Sequence, residues 1–312
     1  MNVDYATRES VTVRQPSTAN LMVDSADRDE NIYYSPADFQ IYKNQSIMNG
    51  FFTRIGTTEV TLEWCEPNIL YQVNDTLTFE ISGNSQVINA VVSLLEPPAQ
   101  GQPRPFANMT VADVLDAICE QLTGESYVSG QPADFRVARN YQTGRMAIDC
   151  SGALFKCDSL NYTLAQQLDL SNPLGDNTYS RYVDIGCPDL RLYRYLDFVS
   201  ASLTYNQALK DNSTADIEKD VLCRWYMAED TQEQYDAYGF PILMGYVRFV
   251  RRRIFNPPKQ IRWDPSQPIG NLNFQVYTDR AITINGTAQG QLWDVFDYEH
   301  TNWLMTLQLS EV

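Results

Sequence analysis

The sequence predicts a mainly β protein, built as a jelly-roll sandwich or sandwiches with two minor helices and an extended N-terminal arm. Three observations carry this. Short β-branched and aromatic runs with two-residue alternation recur down the chain, separated by polar turns. Only two segments show helical spacing, and strands do not alternate with helices as a parallel sheet requires. The first twenty residues are polar and hold no lasting period, so they read as an arm or tail, disordered alone or laid over a neighbour.

The elements follow in order. Asn20-Leu21-Met22-Val23-Asp24-Ser25 opens the ordered part, and Phe39-Gln40-Ile41-Tyr42 alternates as a strand does. Residues 53–64 are β-branched and aromatic, with a period of two from Glu59 onward, and Pro67-Asn68 then punctuates the chain. Leu77 to Ile81 and Val87 to Leu95 are strands around the turn Ser82-Gly83-Asn84-Ser85. A proline-rich loop, 96–105, precedes a helix. Thr110 is its N-cap, Asp113 sits near the positive end of the dipole, and Val111, Val114, Leu115, Ile118 and Leu122 form one face. Gly124 is expected to end it. Short strands follow at 135–138, 145–148 and 153–156, then a second helix over Thr163 to Leu170. Beyond residue 187 strands dominate, at 191–199, 220–227, 243–254, 272–277 and 303–309. The division expected is an arm at 1–20, a β-rich domain with a small α/β insertion at 21–186, and a jelly-roll-like β domain at 187–312.

Composition narrows the function. The chain has 312 residues, 23 Lys and Arg against 39 Asp and Glu, and a net charge of −16. Phosphate binding needs local positive excess, so nucleic acid is not an expected partner. No apolar run approaches the ~20 residues that span a bilayer, and no secretory leader is visible. Cysteines at 65, 119, 150, 157, 187 and 223 have no metal-ligand or regular spacing and are expected to be reduced, buried and inert. The single histidine, His300, reads as a polar surface residue rather than a catalytic base. No phosphate-cradling glycine loop or nucleophile elbow is present. The acidic cluster Asp24, Asp27, Asp29 and Glu30 lacks calcium-loop spacing and reads as a solvated or interface turn, with Asp24 and Arg28 paired. Six Asn-X-Ser/Thr triplets read as chance. No cofactor, metal or catalytic residue is expected.

The local charge anomaly is basic. Arg248, Arg251, Arg252, Arg253, Lys259 and Arg262 lie within fifteen residues without an acid. On a strand Arg251 and Arg253 share one face and Arg252 takes the other. The stretch reads as a charged edge that resists aggregation, as a contact for an acidic neighbour or, the least favoured of the three, as a contact for encapsidated nucleic acid. With Asp24 and Arg28 these residues are the candidate interface. The 19 tyrosines and 5 tryptophans are expected mostly to bury their rings in the chain's own core.

Several segments resemble one family. Asn20 to Asp29, containing Asp24-Ser25-Ala26-Asp27-Arg28, and then Ser35-Pro36-Ala37-Asp38-Phe39-Gln40-Ile41 are similar to the start of minor capsid proteins. These belong to virophages, polinton-like viruses and large icosahedral DNA viruses of eukaryotes. The helix at 110–123, Gly144-Arg145-Met146-Ala147-Ile148, Leu164 to Leu170, Asp197-Phe198-Val199-Ser200, Leu203-Thr204, Asp211 and Trp303 to Leu307 look similar as well. Leu168-Asp169-Leu170 departs from the pattern, where relatives more often carry Leu-Gly-Phe. The resemblance implies a structural protein of the virion, a penton or inter-capsomer cement rather than an enzyme. Its implied partners are the major capsid protein and other copies or minor capsid proteins, assembled inside the host cell and not secreted. Two other classes compete with this reading. One is a receptor- or glycan-binding β-sandwich. The other is a glycosidase using two facing carboxylates ~5–10 Å apart.

Overall fold

The computed structural model describes residues 18–42, 52–64, 67–83, 86–125, 127–128, 131–204, 221–227, 234–242, 249–262, 270–279, 283–284, 287–288, 292–293 and 302–311. The chain first lays down β1 (Thr18–Asp24), a 3-10 turn at Ser25–Asp27, β2 (Asp38–Tyr42) and β3 (Arg54–Trp64). A middle segment follows, with β4 (Ile69–Leu70), β5 (Thr76–Gly83), β6 (Gln86–Ser93), β7 (Phe106–Ala107) and α1 (Val111–Glu125). It continues through β8 (Tyr127–Val128), β9 (Gln131–Pro132), β10 (Asp134–Arg139), β11 (Met146–Ser151), β12 (Leu154–Cys157), α2 (Thr163–Gln167), β13 (Leu170–Ser171) and β14 (Tyr182–Ile185). The last part holds β15 (Tyr195–Val199), α3 (Ala201–Thr204), β16 (Val221–Tyr226), β17 (Phe249–Ile254), β18 (Gln260–Arg262), β19 (Asn271–Thr278), β20 (Thr283–Ile284), β21 (Thr287–Ala288) and β22 (Trp303–Ser310).

Two antiparallel sheets form the sandwich. One has the order β1-β22-β3-β17, with β18 also paired to β3; the other has the order β16-β15-β19-β2. The chain crosses between sheets at β1 to β2, β2 to β3 and β3 to β15, and again after β16, β18 and β19. That winding is a jelly roll, mainly β as the alternation implied. Its core joins both sheets and both ends of the chain. Val23, Phe39, Ile55, Val60 and Leu62 pack with Leu196, Phe198, Leu222, Trp225, Leu272, Phe274, Val276, Trp303, Met305 and Leu307. The C-terminal strands therefore do not close a sandwich alone, because β22 lies between β1 and β3.

Strict alternation makes β19 and β22. Leu272, Phe274 and Val276 face in along β19, as do Trp303, Met305, Leu307 and Leu309 along β22. Trp303 is the aromatic hub, with ring centroids 5.5 Å from Phe39, 5.3 Å from Phe198 and 5.8 Å from Phe274. Each such buried side chain contributes roughly 1.5–3 kcal/mol. Its polar atoms are met by the N-terminal segment. The backbone N–H of Trp303 donates to Ser25 Oγ at 2.7 Å, and its indole Nε1–H donates to the Pro36 carbonyl at 2.9 Å. Arg28, 7% exposed, braces the same corner. It donates to the carbonyls of Ser25 (2.8 Å), Tyr33 (3.1 Å) and Tyr34 (3.2 Å) and to Asn302 Oδ1 (2.8 Å).

The middle segment has its own core. α1 places Val111, Val114, Leu115, Ile118 and Leu122 against Leu77, Phe79 and Ile81 of β5, with Phe135, Ile148, Phe155 and Val183. Thr110 and Asp113 cap it reciprocally: Asp113 N–H donates to Thr110 Oγ1 at 3.2 Å, and Thr110 N–H to Asp113 Oδ2 at 2.8 Å. The helix runs through Gly124 to Glu125, one residue past the expected stop. The second helix is shorter than expected and ends at Gln167. Asp169 has φ +51°, which turns the chain into β13, and its carboxylate and carbonyl accept from the N–H groups of Cys187 and Gly186. A third helix, α3, was not foreseen. Of the cysteines, Cys119, Cys150, Cys157 and Cys223 are buried as expected, but Cys187 is exposed. Burial pushes the Cys119 and Cys150 thiols up to about 12 and about 11.

Removing the Arg28 brace is expected to cost roughly 2–4 kcal/mol, because the buried Ser25 carbonyl and the partly buried Tyr33 and Tyr34 carbonyls lose their donor at once. Urea unfolding of Arg28→Ala checks this against exposed Asp27→Ala, which is expected to stay within ~0.5 kcal/mol of the parent. Equal midpoints for the two variants would contradict the latch.

Candidate assembly interface

Each sheet has two edges, and the two sheets share them at two flanks. β1 and β2 are edge strands on one flank, tied by Arg28 reaching from the turn after β1 to the approach to β2. β17, β18 and β16 meet on the other, where Lys259 Nζ donates to the Val221 carbonyl at 2.8 Å. β18 sits close on β3 because Gly56 faces Gln260. A Cβ there would lie 2.9 Å from Gln260 Nε2 and 3.2 Å from the Lys259 carbonyl oxygen.

The flanks differ in charge. The β1–β2 flank presents Asp27, Asp29, Glu30 and Asp38, all exposed, with half-buried Asp24. Asp24 does not pair with Arg28. Its Oδ1 accepts from Ala26 N–H at 2.9 Å to cap the turn, and the ion partner of Arg28 is Glu30 at 3.3 Å. The opposite flank presents Arg252, Lys259 and Arg262, all exposed, and half-buried Arg253. Arg248 and His300 lie outside the described residues.

Alternation along β17 holds, with an inverted sense. Arg251 faces Leu62 and Arg253 faces Val60 across the ladder, so both arginines point to the core side. Arg251 is 3% exposed, and its Nη1 lies 3.8 Å from Met227 Sδ. Arg252 points outward between Val250 and Ile254, which are 66% and 60% exposed. It grips Glu59 with bonds of 2.6 and 2.7 Å, and this guanidinium holds the Glu59 carboxyl below the usual carboxylate range. Arg262 faces Arg54 in register, a like-charged pair with no carboxylate partner among the described residues. A strand with inward charge and a positive rim resists pairing with a stray edge but suits an acidic neighbour.

The outer face of the second sheet was not singled out from the sequence. Arg224 forks onto Asp197 at 2.7 and 2.8 Å and lies 3.9 Å over the Tyr195 ring, beside Tyr226. Tyr277 donates to Gln275 at 3.0 Å, Gln275 to Asp38 at 3.3 Å, and Asn271 to Gln40 at 3.2 Å. The outward alternation of Asn271, Asn273, Gln275 and Tyr277 is the signal that could have found it. Among the described residues, no three His, Cys, Asp or Glu side chains converge to hold a metal, and no helix is long and apolar enough to cross a membrane.

No family model matches this sequence, and no curated protein does either. Solved structures do resemble the fold. The mavirus penton protein is similar with a TM-score of 0.51 at 10% identity, over 96% of this chain and 100% of that one. A chain in the 3.5 Å cryo-EM structure of the Sputnik virophage is similar with a TM-score of 0.53 at 12% identity, over 96% of this chain and 98% of that one.

Neighbouring arginines on β17 should behave oppositely. Arg251→Ser is expected to lower the urea midpoint clearly, since it empties a buried site, while Arg252→Ser stays within about 1 kcal/mol. A larger loss for Arg252→Ser would contradict the assignment of inner and outer faces.

Proposed function

We propose that this chain is a structural subunit of a viral protein shell, a minor capsid component of penton or cement type that joins major capsomers in an icosahedral particle. The observation that carries the reading is likeness over whole lengths. The jelly roll and its long middle segment together match the penton fold across 96% of this chain and all of that one. The partners on this reading are the major capsid protein and other copies or minor capsid proteins, and the place is the virion capsid. The two separate cores support a division in which residues 18–64 and 191–310, apart from 234–242, build the sandwich and the middle segment forms an inserted unit.

Contact with neighbours is assigned to the flanks. A chain of net charge −16 repels its own copies and acidic neighbours. The Arg252, Lys259 and Arg262 side relieves that repulsion and fixes orientation, and the Asp27, Asp29, Glu30 and Asp38 side offers it a complement. Arg251 and Arg28 serve the chain's own fold on this account, and the solvent-facing residues make the contact. A second reading, a receptor- or glycan-binding module, draws on the tyrosine and amide face of the second sheet, where Tyr42 is 65% and Tyr226 43% exposed.

Co-expression with the major capsid protein of the same virus tests the first reading. The chain is expected in purified particles at a fixed ratio. Changing Arg252, Lys259 and Arg262 together to Ser is expected to cut incorporation about tenfold, since three exposed pairs at ~0.5 kcal/mol each sum to about 1.5 kcal/mol. Incorporation of the parent should fall as salt rises. Absence from particles would overturn the shell reading, and glycan binding by the isolated chain would then favour the second. Normal incorporation of the triple variant would overturn the flank assignment alone.

A further inference from the structure

The middle segment leaves one sheet edge open. Its three-stranded sheet has the order β12-β5-β6, and among the described residues no strand pairs with the outer side of β6. Edge strands are ordinarily blunted by charge, proline or brevity. β6 has none of these: its eight residues, Gln-Val-Ile-Asn-Ala-Val-Val-Ser, carry no charge and no proline in a chain of net charge −16.

The phase of the open ladder can be read from one contact. Gln121 of α1 holds Ser93 by both backbone groups, accepting from its N–H at 3.0 Å and donating to its carbonyl at 2.8 Å. The Ser93 peptide groups therefore point away from β5. In an antiparallel pair this direction repeats every second residue, so the N–H and C=O of Val91, Asn89 and Val87 point the same way. Gln121 closes the ladder at one end and leaves these three residues open. Their side chains are exposed on the outer face, Val87 at 55% and Val91 at 60%.

We infer that the open edge of β6 pairs with β6 of a second copy, antiparallel and centred on Asn89. The pattern Val-x-Asn-x-Val is symmetric about its middle residue, so the edge is its own complement. Val87 faces Val91 of the other copy, Asn89 faces Asn89, and Val91 faces Val87, with two backbone hydrogen bonds for each facing pair. The cross-strand side chains suit one another, two β-branched pairs flanking an amide pair. The chain's net charge of −16 opposes the approach of two copies at long range, but the cross-strand acid beside the pairing site is paired locally. Glu80, opposite Asn89, meets Lys156 at 3.1 Å, which also reaches Asp158 at 3.5 Å, and accepts from Tyr179 at 2.8 Å. The two sheets become one sheet of twice the width across a two-fold axis. So short a pairing buries less than the ~1,200 Å² of a stable complex, so it is weak between free copies and needs high concentration to be seen.

This inference does not rest on the shell reading, and its failure would leave that reading intact. The test uses the full chain with exposed Cys187 changed to Ser. Asn89→Cys places two thiols at the dyad, about 5.5 Å apart between Cα atoms, which a disulfide can span. Under mild oxidation at high protein concentration it is expected to form intermolecular disulfide at least tenfold faster than Tyr141→Cys, whose parent side chain is 89% exposed on a separate turn. Adding Val91→Lys to Asn89→Cys is expected to return the rate to that of the control, with the unfolding midpoint unchanged. Equal rates for Asn89→Cys and Tyr141→Cys would overturn the pairing. So would an undiminished rate in a folded Val91→Lys variant. If Val91→Lys fails to fold, the ratio of the two single cysteine variants decides alone.

Discussion

Trp303 cannot be buried among Phe39, Phe198 and Phe274 unless its two N–H groups find acceptors, since each buried and unsatisfied donor costs about 1–3 kcal/mol. Both acceptors come from the opposite end of the chain, Ser25 Oγ and the Pro36 carbonyl. Arg28 then ties the same turn to Asn302, the residue before the tryptophan. This corner joins β1 and the turn after it to the last strand. It sets the register of β1 on β22, brings β2 under the aromatic hub, and so makes one sandwich from strands at the two ends of the sequence. The Asp-Ser-x-Asp-Arg segment is thus a closing device within the chain, with Asp24 capping the turn and Asp27 left facing outward on the β1–β2 flank.

Closing the sandwich this way frees the connection between β3 and β15 to grow into a second unit. Polar side chains fix its root. Asn74 donates to Gln167 at 2.7 Å and to the Asn68 carbonyl at 2.7 Å, and Asn68 donates to the Met109 carbonyl at 2.6 Å. The segment at 234–242, between β16 and β17, reaches over to the same unit. Asp236 accepts from Ala112 N–H in the first turn of α1 at 2.9 Å, Tyr238 donates to Asp116, and Phe240 enters the middle core. The inserted unit is therefore held at both its root and its helix. On the proposed readings, the sandwich flanks and the β6 edge are two separate surfaces for neighbours, one charged and one uncharged.

Much of the architecture was legible in the strands. β19 and β22 alternate so regularly that their inner faces could be named, and the Thr110 and Asp113 cap located α1. The flank was only half legible. Alternation along Val250-Arg251-Arg252-Arg253-Ile254 is plain, but which face is buried is decided by the neighbours Val60 and Leu62 on β3, and here Arg251 and Arg253 turn inward. The pairing expected of Asp24 with Arg28 failed for a similar reason, because the partners of Arg28 include Asn302, 274 positions away. The second helix overran because a propensity reading continues through Asp169, where the backbone instead takes a positive φ. Long-range partners decided each of these cases.

Native-state hydrogen exchange tests the central claim most directly, that the two ends of the chain form one cooperative sandwich. Slow amides of β1, β3 and β22 are expected to share one opening free energy, and Ser25→Ala is expected to lower it equally in all three. If β1 opens on its own, with much weaker protection than β22, or if Ser25→Ala loosens β1 and leaves β22 unchanged, the latch does not hold the fold together.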